Sequence, residues 1–274
     1  MKKLLKIGIV GCGAIGSSLA KMIVNDFSKK TELVALYDKI SGKSEKLSES
    51  VSNNKLLAIA SLQDLIRKSE LVIEAASADS SWHIAKETLS CGRDIMIMSV
   101  GGIVNRVGQL SKLGGYYRSK VYIPSGAVSG IDALKAAVMG KIKSVVLTTY
   151  KNPLAFKGVR YIQAKKLNLG KIRKDTLLFS GTAQQAIRFF PQNINVAGIL
   201  SISGIGAVNT RVKIIASPKV KRNIHEIRIE SSAGKIFTRT ENILHPDNPK
   251  TSYLAVLSAV AVLKQILQPV RIGT

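Results

Sequence analysis

The stretch of this chain that decides its fold reads Lys6-Ile-Gly-Ile-Val-Gly-Cys-Gly-Ala-Ile-Gly16. Its apolar run, Ile7 to Val10, is too short for a helix and has the length of a buried strand. The glycines at 11, 13 and 16 then fit the pattern G-x-G-x-x-G, and Ser17 to Val24 continues as a helix. A strand, a glycine-rich turn and a helix in this order predict a dinucleotide-binding unit.

Each glycine of this loop has a separate predicted task. Gly11 makes the tight turn, Gly13 lets the backbone approach a pyrophosphate, and Gly16 allows the helix to pack closely on the strand. We expect the phosphates on the backbone amides at the helix N-terminus, where the helix dipole favours negative charge. The residues that carry these amides are Ala14, Ile15 and Gly16.

A second apolar strand, Glu32 to Tyr37, ends at Asp38, 22 positions after Gly16. In dinucleotide-binding units, the carboxylate that binds the adenosine ribose stands about 20 residues beyond the glycines. Asp38 is therefore the predicted ribose ligand, and an ordinary acid at a strand end is the alternative. Because Lys39 and Lys43 follow and can accept a 2′-phosphate, the sequence favours NAD but leaves NADP or dual use open.

Composition places the chain among globular proteins. Its 274 residues, 46% hydrophobic and 21% charged, allow one large or two modest domains with their own cores. No run approaches the roughly 18 uninterrupted apolar residues of a transmembrane helix. The opening Met1-Lys-Lys-Leu-Leu-Lys6 lacks the apolar core and cleavage site of a signal peptide. We expect a cytoplasmic protein without a membrane partner.

Cysteine usage and charge exclude some functions and leave others open. Cys12 and Cys91 lack metal-site spacing, so we expect no bound metal and no disulfide. The chain has 41 basic and 17 acidic residues, a net charge of +24, which raises nucleic acid or a membrane surface as partners. The lysines are scattered along the chain without a basic tail, so a generally basic proteome or the attraction of acidic ligands is the favoured explanation, and nucleic-acid binding is not expected.

The order of elements predicts two domains and a C-terminal segment. Over residues 1–126, strands and helices alternate with short links, which predicts a Rossmann-type, doubly wound parallel sheet in an α/β fold. Over residues 127–246, the longer strand patterns predict an α+β substrate domain with a mixed or antiparallel sheet. Residues 247–274 predict a helix that packs back on the first domain, with Asn248 as N-cap and Pro249 as first helical residue. The strands expected in the second sheet are 144–150, 211–216, 225–231 and 235–242.

Within the second domain, residues 182–190 and 196–202 have helical patterns. The stretch 153–174 is basic and irregular, which indicates an excursion on the surface. The sequence leaves the role of this excursion open.

Five motifs in the later part of the chain name a family. They are Tyr122-Ile-Pro-Ser-Gly-Ala127, Val146-Leu-Thr-Thr-Tyr-Lys-Asn152, Phe190-Pro-Gln-Asn-Ile-Asn-Val-Ala197, Arg222-Asn-Ile-His-Glu-Ile227 and Asn248-Pro-Lys-Thr-Ser-Tyr-Leu-Ala255. Together and in this order they resemble the L-aspartate dehydrogenase family over nearly the whole chain. The last three are far more specific than the glycine loop.

The resemblance implies an NAD(P)-dependent oxidation of L-aspartate to iminoaspartate, which hydrolyses to oxaloacetate and ammonia. It also implies a homodimer and an imine that can feed NAD biosynthesis. By motif match, His225 is the catalytic residue, and Ala127 and Asn195 contact the cofactor.

The chemistry of the residues agrees with a catalytic histidine. Amine oxidation needs a proton acceptor, the reverse reaction needs a proton donor, and imidazole serves both near neutral pH. His83 lies in the cofactor domain, His245 precedes the last helix, and His225 opens a strand of the substrate domain. On pattern alone, a structural histidine is the alternative for His225.

A dicarboxylate substrate also needs fixed hydrogen-bond donors. Lys250, Thr251 and Ser252 lie in the predicted first turn of the last helix, where free amides attract anions, so they are candidate substrate ligands. Capping and packing are the alternative for them. Asn193 and Asn195 flank a predicted helix start, where one of them can serve as a cap, and Asn223 is expected in a turn.

Three other functions stay open. A homoserine or semialdehyde type of dehydrogenase would share the first half but would not need the later motifs. A non-catalytic NAD-sensing protein would use the basic surface for nucleic acid and would lose affinity steeply with salt. A purely structural role would leave the phosphate loop idle.

Overall fold

The computed structural model describes residues 3–52, 57–190, 195–246 and 248–273. Its contacts divide the chain into two units. The first unit comprises the residues up to Pro124 and Val256–Arg271, and the second comprises Ser125–Ala255 and the residues after Arg271.

The first unit contains a parallel five-stranded sheet. The strands are β1 (Leu5–Val10), β2 (Thr31–Tyr37), β3 (Leu71–Glu74), β4 (Asp94–Ile97) and β5 (Val121–Tyr122). They are ordered β2-β1-β3-β4-β5, so the chain starts near the middle and winds outward in both directions. Every adjacent pair is parallel, as predicted for a doubly wound sheet.

Helices connect these strands. They are α1 (Ala14–Asp26), α2 (Lys43–Val51), α3 (Leu62–Lys68), α4 (Ala78–Ser90) and α5 (Val107–Tyr117). Single 3₁₀ turns cover Val100–Gly102 and Val104–Arg106. The central strands are almost wholly buried, as expected for a sheet covered on both faces, and Ile7, Ile9 and Ile73 have no exposed surface.

The second unit contains a mixed five-stranded sheet. The strands are β6 (Ile142–Lys151), β7 (Thr176–Thr182), β8 (Arg211–Ala216), β9 (Asn223–Ser231) and β10 (Gly234–Asn242). They are ordered β10-β9-β6-β8-β7, and only the β6–β8 pair is parallel. The prediction of a mixed sheet is confirmed.

Short helices accompany this sheet. They are α6 (Ile131–Ala137), α7 (Arg160–Ala164), α8 (Ala183–Phe189) and α9 (Asn195–Ser203), with 3₁₀ turns at Pro153–Phe156 and Leu169–Lys171. The basic excursion is therefore more regular than expected, because Phe156 and Ile162 anchor it through burial. β7 was not predicted, since a register shift between Leu177 and Phe179 breaks its alternation.

The sheet of the second unit buries one face and exposes the other. Along β9, Ile227 and Ile229 are buried whereas Arg228 and Glu230 are exposed. This alternation of period two lets the same strand supply core and surface residues.

The prediction for the start of the C-terminal helix is wrong. Residues Asn248–Ser252 form a strand, β12, that pairs with β11 (Leu244–His245), and the helix α10 runs from Tyr253 to Ile266. The Tyr253 amide donates to the Ile243 carbonyl at 2.9 Å, which closes this hairpin. Pairing between the two strands therefore overrides the local helix-start signal of Asn248 and Pro249, since tertiary context outweighs propensity.

Candidate functional site

The glycine loop, Gly11–Gly16, needs two of its glycines for the protein's own packing. Gly11 has a φ of +96°, and a Cβ there would lie 2.5 Å from the Ala75 carbonyl oxygen. A Cβ at Gly16 would lie 1.9 Å from the Gly11 carbonyl oxygen. Both positions exclude any side chain because backbone atoms occupy the space.

Gly13 differs from its neighbours in the loop. A Cβ placed there would meet no described atom within 4 Å, so the fold itself does not require glycine. Gly13 is the N-cap of α1, and no described side chain caps its amides. Free amides and open space at a helix N-terminus suit a phosphate group, and Ala14, Ile15 and Gly16 form that first turn.

Asp38 lies directly after β2 and faces the glycine loop. One carboxylate oxygen accepts the Cys12 amide at 2.8 Å, and the other accepts the Ile40 amide at 2.9 Å. These two bonds fix the orientation of the carboxylate, and each oxygen keeps a lone pair for a further donor. The arrangement can accept ribose hydroxyls.

A groove of about 450 Å³ runs along these residues. Its lining includes Gly11, Gly13 and Asp38, as well as Lys39 and Lys43. The groove therefore combines backbone that can bind a phosphate, a carboxylate that can accept ribose hydroxyls and two cations that can pair with a 2′-phosphate. NAD and NADP both fit these residues.

The buried carboxyl of Glu74 shapes the loops at the carboxyl end of β3. It accepts the Ala76 amide at 2.9 Å, the Ser99 amide at 3.0 Å and the Ser81 hydroxyl at 3.1 Å. Burial raises the pKa of Glu74, and these hydrogen bonds partly offset that rise.

In the second unit, the sheet register gathers polar side chains on its buried face. Thr149 of β6 and Thr240 of β10 both lie opposite His225 of β9. Directly opposite residues share a face, as do residues two apart along a strand. We name the buried members of this group the polar cluster: Thr149, Lys151, Asn223, His225 and Asn242.

His225 is only 3% exposed, and its Nδ1 lies 3.0 Å from the Thr149 hydroxyl. Burial, and secondarily the charge of Lys151, lowers the pKa of His225 to about 3. Burial also lowers the pKa of Lys151 to about 8. At neutral pH the imidazole is therefore neutral, and its lowered pKa makes it a weak base in the free protein.

Two further predicted residues adjoin the polar cluster. The Asn242 side-chain amide donates to the Ala127 carbonyl at 2.9 Å. The Asn223 amide donates to the Ser252 hydroxyl at 3.5 Å. Asn223 is thus the first residue of β9, not a turn residue. The structure brings His225, Ala127 and Ser252 into one neighbourhood of the second unit.

For the remaining candidate site residues, the structure gives little support for a binding role. Thr251 lies in β12, so the expected first-turn amides do not support a binding role for Lys250, Thr251 or Ser252. The side chain of Lys250 and the whole of Asn193 lie outside the described residues. Asn195 is an exposed residue at the start of α9.

Sequence reasoning missed Lys151 and Asn242. Along β6, the buried positions Val145, Leu147 and Thr149 alternate with half-buried ones, and Lys151 continues the buried phase. The available signal was a lysine at a position of the strand that faces the core, because a lysine is almost never fully buried unless it is paired.

The described ranges also bear on other functional classes. There, no helix combines the length and apolar character needed to cross a membrane, and no three His, Cys, Asp or Glu side chains form a metal site. Cys12 and Cys91 are free thiols. Burial and the nearby Asp38 raise the pKa of Cys12 to about 12, so its thiol is a poor nucleophile.

Family models match both parts of the chain. Residues 132–266 match the model described as "Aspartate dehydrogenase, C-terminal". Residues 11–124 match the model described as "Homoserine dehydrogenase, NAD binding domain".

Solved structures share the fold. The crystal structure of aspartate dehydrogenase from Thermotoga maritima has a TM-score of 0.74 and 23% identity, covering 99% of this chain and 100% of the other. A hyperthermophilic archaeal homoserine dehydrogenase in complex with NADPH has a TM-score of 0.60 and 15% identity, covering 98% and 100%. These likenesses concern the fold alone.

Curated relatives are similar along their whole length. The L-aspartate dehydrogenase of Methanosarcina acetivorans is 44% identical over 273 residues, which cover 99% of this chain and 100% of the relative. That of Methanosarcina barkeri is 42% identical with the same coverage. The chain therefore belongs to the L-aspartate dehydrogenase family and is an NAD(P)-dependent oxidoreductase.

Proposed function

We propose that this chain oxidises L-aspartate to iminoaspartate with NAD or NADP, and that water then hydrolyses the imine to oxaloacetate and ammonia. The similarity to L-aspartate dehydrogenases over 99% of the chain carries this conclusion. The buried imidazole among polar side chains supports it, because such a site can exchange protons with an amine.

The first unit holds the cofactor in this proposal. When bound, the nicotinamide supplies the acceptor for the hydride that leaves the substrate Cα. The amides of Ala14, Ile15 and Gly16 bind the phosphates, with Gly11 and Gly13 shaping the loop, and Asp38 binds the adenosine ribose. The groove and the open space at Gly13 support these roles.

His225 accepts the proton that the substrate nitrogen releases. Nδ1 lies within hydrogen-bond distance of the Thr149 hydroxyl, and in the tautomer whose Nδ1–H donates to that hydroxyl the lone pair lies on Nε2, which is then the basic atom. The substrate carboxylates bring negative charge toward the imidazole, which raises its pKa from about 3 toward the working pH. In the reverse direction the protonated ring returns the proton to the imine.

Further contacts complete the proposal. Ala127 and Asn195 contact the cofactor, and Lys250, Thr251 and Ser252 contact the substrate. For Ala127 and Ser252, the hydrogen bonds with Asn242 and Asn223 support these roles, because both asparagines belong to the polar cluster.

We also propose a cytoplasmic homodimer whose imine product supplies NAD biosynthesis. The family membership supports these statements. Light scattering on the purified protein should give twice 29.5 kDa, and the mass of a single chain would contradict the dimer.

The reaction is tested by incubating the protein with L-aspartate and NAD or NADP while the absorbance of the reduced cofactor is followed. L-homoserine, L-glutamate and L-malate are the controls, and homoserine is the sharpest because the model matching residues 11–124 is that of homoserine dehydrogenases. Turnover confined to L-aspartate is expected. Turnover of homoserine and not of aspartate would contradict the proposal.

A further inference from the structure

Lys151 occupies an unusual position for a lysine. It ends β6 on the buried face of the sheet and is only 6% exposed. In the β6–β9 register Thr149 lies opposite His225, so Lys151 lies diagonally from His225, within reach of a long side chain. A cation is thus buried beside the proposed catalytic base.

Asn242 occupies the matching position on the other side of His225. It lies two residues beyond Thr240, which is opposite His225 on β10, and it is 2% exposed. Its Nδ2 donates to the Ala127 carbonyl, and its Oδ1 is buried without a hydrogen-bond partner among the described residues. A buried acceptor without a donor is costly, so this oxygen is suited to accept a hydrogen bond from a ligand.

Three adjacent strands therefore present different groups to one place. β6 presents an ammonium, β9 an imidazole and β10 an amide oxygen, with neighbouring strands about 4.8 Å apart. An amino acid has the complementary groups: a carboxylate for the ammonium and an amine for the amide oxygen. The amine then lies on the same side as the imidazole that takes its proton.

Resting on the proposed function, we propose that Lys151 binds a carboxylate of L-aspartate and that Asn242 Oδ1 accepts a hydrogen bond from its amino group. The pair fixes the orientation of the substrate across the sheet. Holding the 125–130 segment is not sufficient reason for Asn242, because Thr240 already binds that segment through the Ser129 hydroxyl at 3.0 Å.

The test uses two ligands that differ in the amino group. The Kd of L-aspartate and of succinate, a dicarboxylate without an amine, is measured by calorimetry on the full chain saturated with NADH. The variants are Lys151→Met and Asn242→Leu. Their matched controls are Lys143→Met, an exposed lysine of the same strand, and Thr238→Val, which loses a bond to the Ser129 carbonyl of the same segment.

Lys151→Met should raise the Kd of both ligands at least tenfold. Asn242→Leu should raise the Kd of L-aspartate about tenfold and leave the Kd of succinate unchanged. Both controls should bind as the wild type does. Equal weakening of both ligands by Asn242→Leu, or unchanged binding by Lys151→Met, would overturn the inference.

Thermal unfolding of each variant shows whether it is folded, and Asn242→Ser replaces Asn242→Leu if the latter is not. The wild-type turnover assay distinguishes a failure of this inference from a failure of the proposed function. Turnover of L-aspartate with unchanged binding in both variants overturns this inference alone. Absence of both turnover and binding in the wild type overturns the proposed function with it.

Discussion

The groove of the first unit and the polar cluster of the second are built in opposite ways. The groove relies on backbone: free amides at the start of α1, glycines that let the chain turn, and one carboxylate held by two amides. The polar cluster relies on side chains from β6, β9 and β10, which the sheet register brings together.

The difference follows from the ligands. A dinucleotide phosphate needs several donors in a fixed arc, which one short stretch of backbone supplies. A small amino acid needs separate groups for each of its charges, and these must come from distant parts of the chain. Substitutions in the two regions should therefore have different effects on stability and on ligand binding.

The largest expected effect separates two glycines of the same loop. Gly16→Ala places a Cβ 1.9 Å from the Gly11 carbonyl oxygen, so it should lower the free energy of unfolding by about 3 kcal/mol or more. Gly13→Ala has no such clash and should leave stability within about 1 kcal/mol while lowering NADH affinity at least tenfold. Thermal unfolding and fluorescence titration measure the two quantities. Equal stability losses would contradict the assignment of Gly13 to the phosphate.

The next effect concerns Lys151, whose replacement should stabilise the protein while it weakens substrate binding. The pKa of Lys151 is lowered from 10.5 to about 8, so the folded state binds fewer protons than the unfolded state between these values. Below pH 8 the buried charge therefore costs about 3 kcal/mol, and the cost vanishes above pH 10.5.

Lys151→Met should accordingly raise the melting temperature at pH 7 by several degrees, and the gain should shrink as the pH rises through this window. Lys143→Met is the exposed control. A destabilised Lys151→Met protein at pH 7 would mean that the ammonium is well compensated in the free enzyme.

A smaller effect concerns the choice of cofactor. Asp38→Ala removes the acceptor for the ribose hydroxyls and should weaken the binding of NAD by about 2 kcal/mol, roughly 30-fold in Kd. NADP should be affected less, because its 2′-phosphate repels the carboxylate and can pair with Lys39 or Lys43. Kd values for both reduced cofactors measure this, and equal losses would remove Asp38 from the ribose.

The sequence pointed to more of the candidate residues in the first region than in the second, for a physical reason. Gly11, Gly13, Gly16 and Asp38 lie in one βαβ segment whose spacing is fixed by its geometry. Lys151 and Asn242 are 91 residues apart, and only the pairing of both strands with β9 reveals their relation. Local patterns do not encode such pairing.

The C-terminal hairpin illustrates the same limit. Asn248 and Pro249 have the residue types of a helix start, so a local rule selects them, but the helix does not begin there. Leu244 and His245 lie close enough in sequence to pair with that stretch, and the ladder moves the helix start to Tyr253.

His225 was placed by motif resemblance, since its strand position alone also fits a structural histidine.

The proposed reaction depends most on His225 as the group that exchanges the substrate proton. The most direct test is the single-turnover rate of cofactor reduction at saturating L-aspartate, measured for the wild type and for His225→Ala with NADH affinity as control. We expect the variant to be slower by about 10²- to 10⁴-fold with an unchanged Kd for NADH. A single-turnover rate close to that of the wild type would contradict the account.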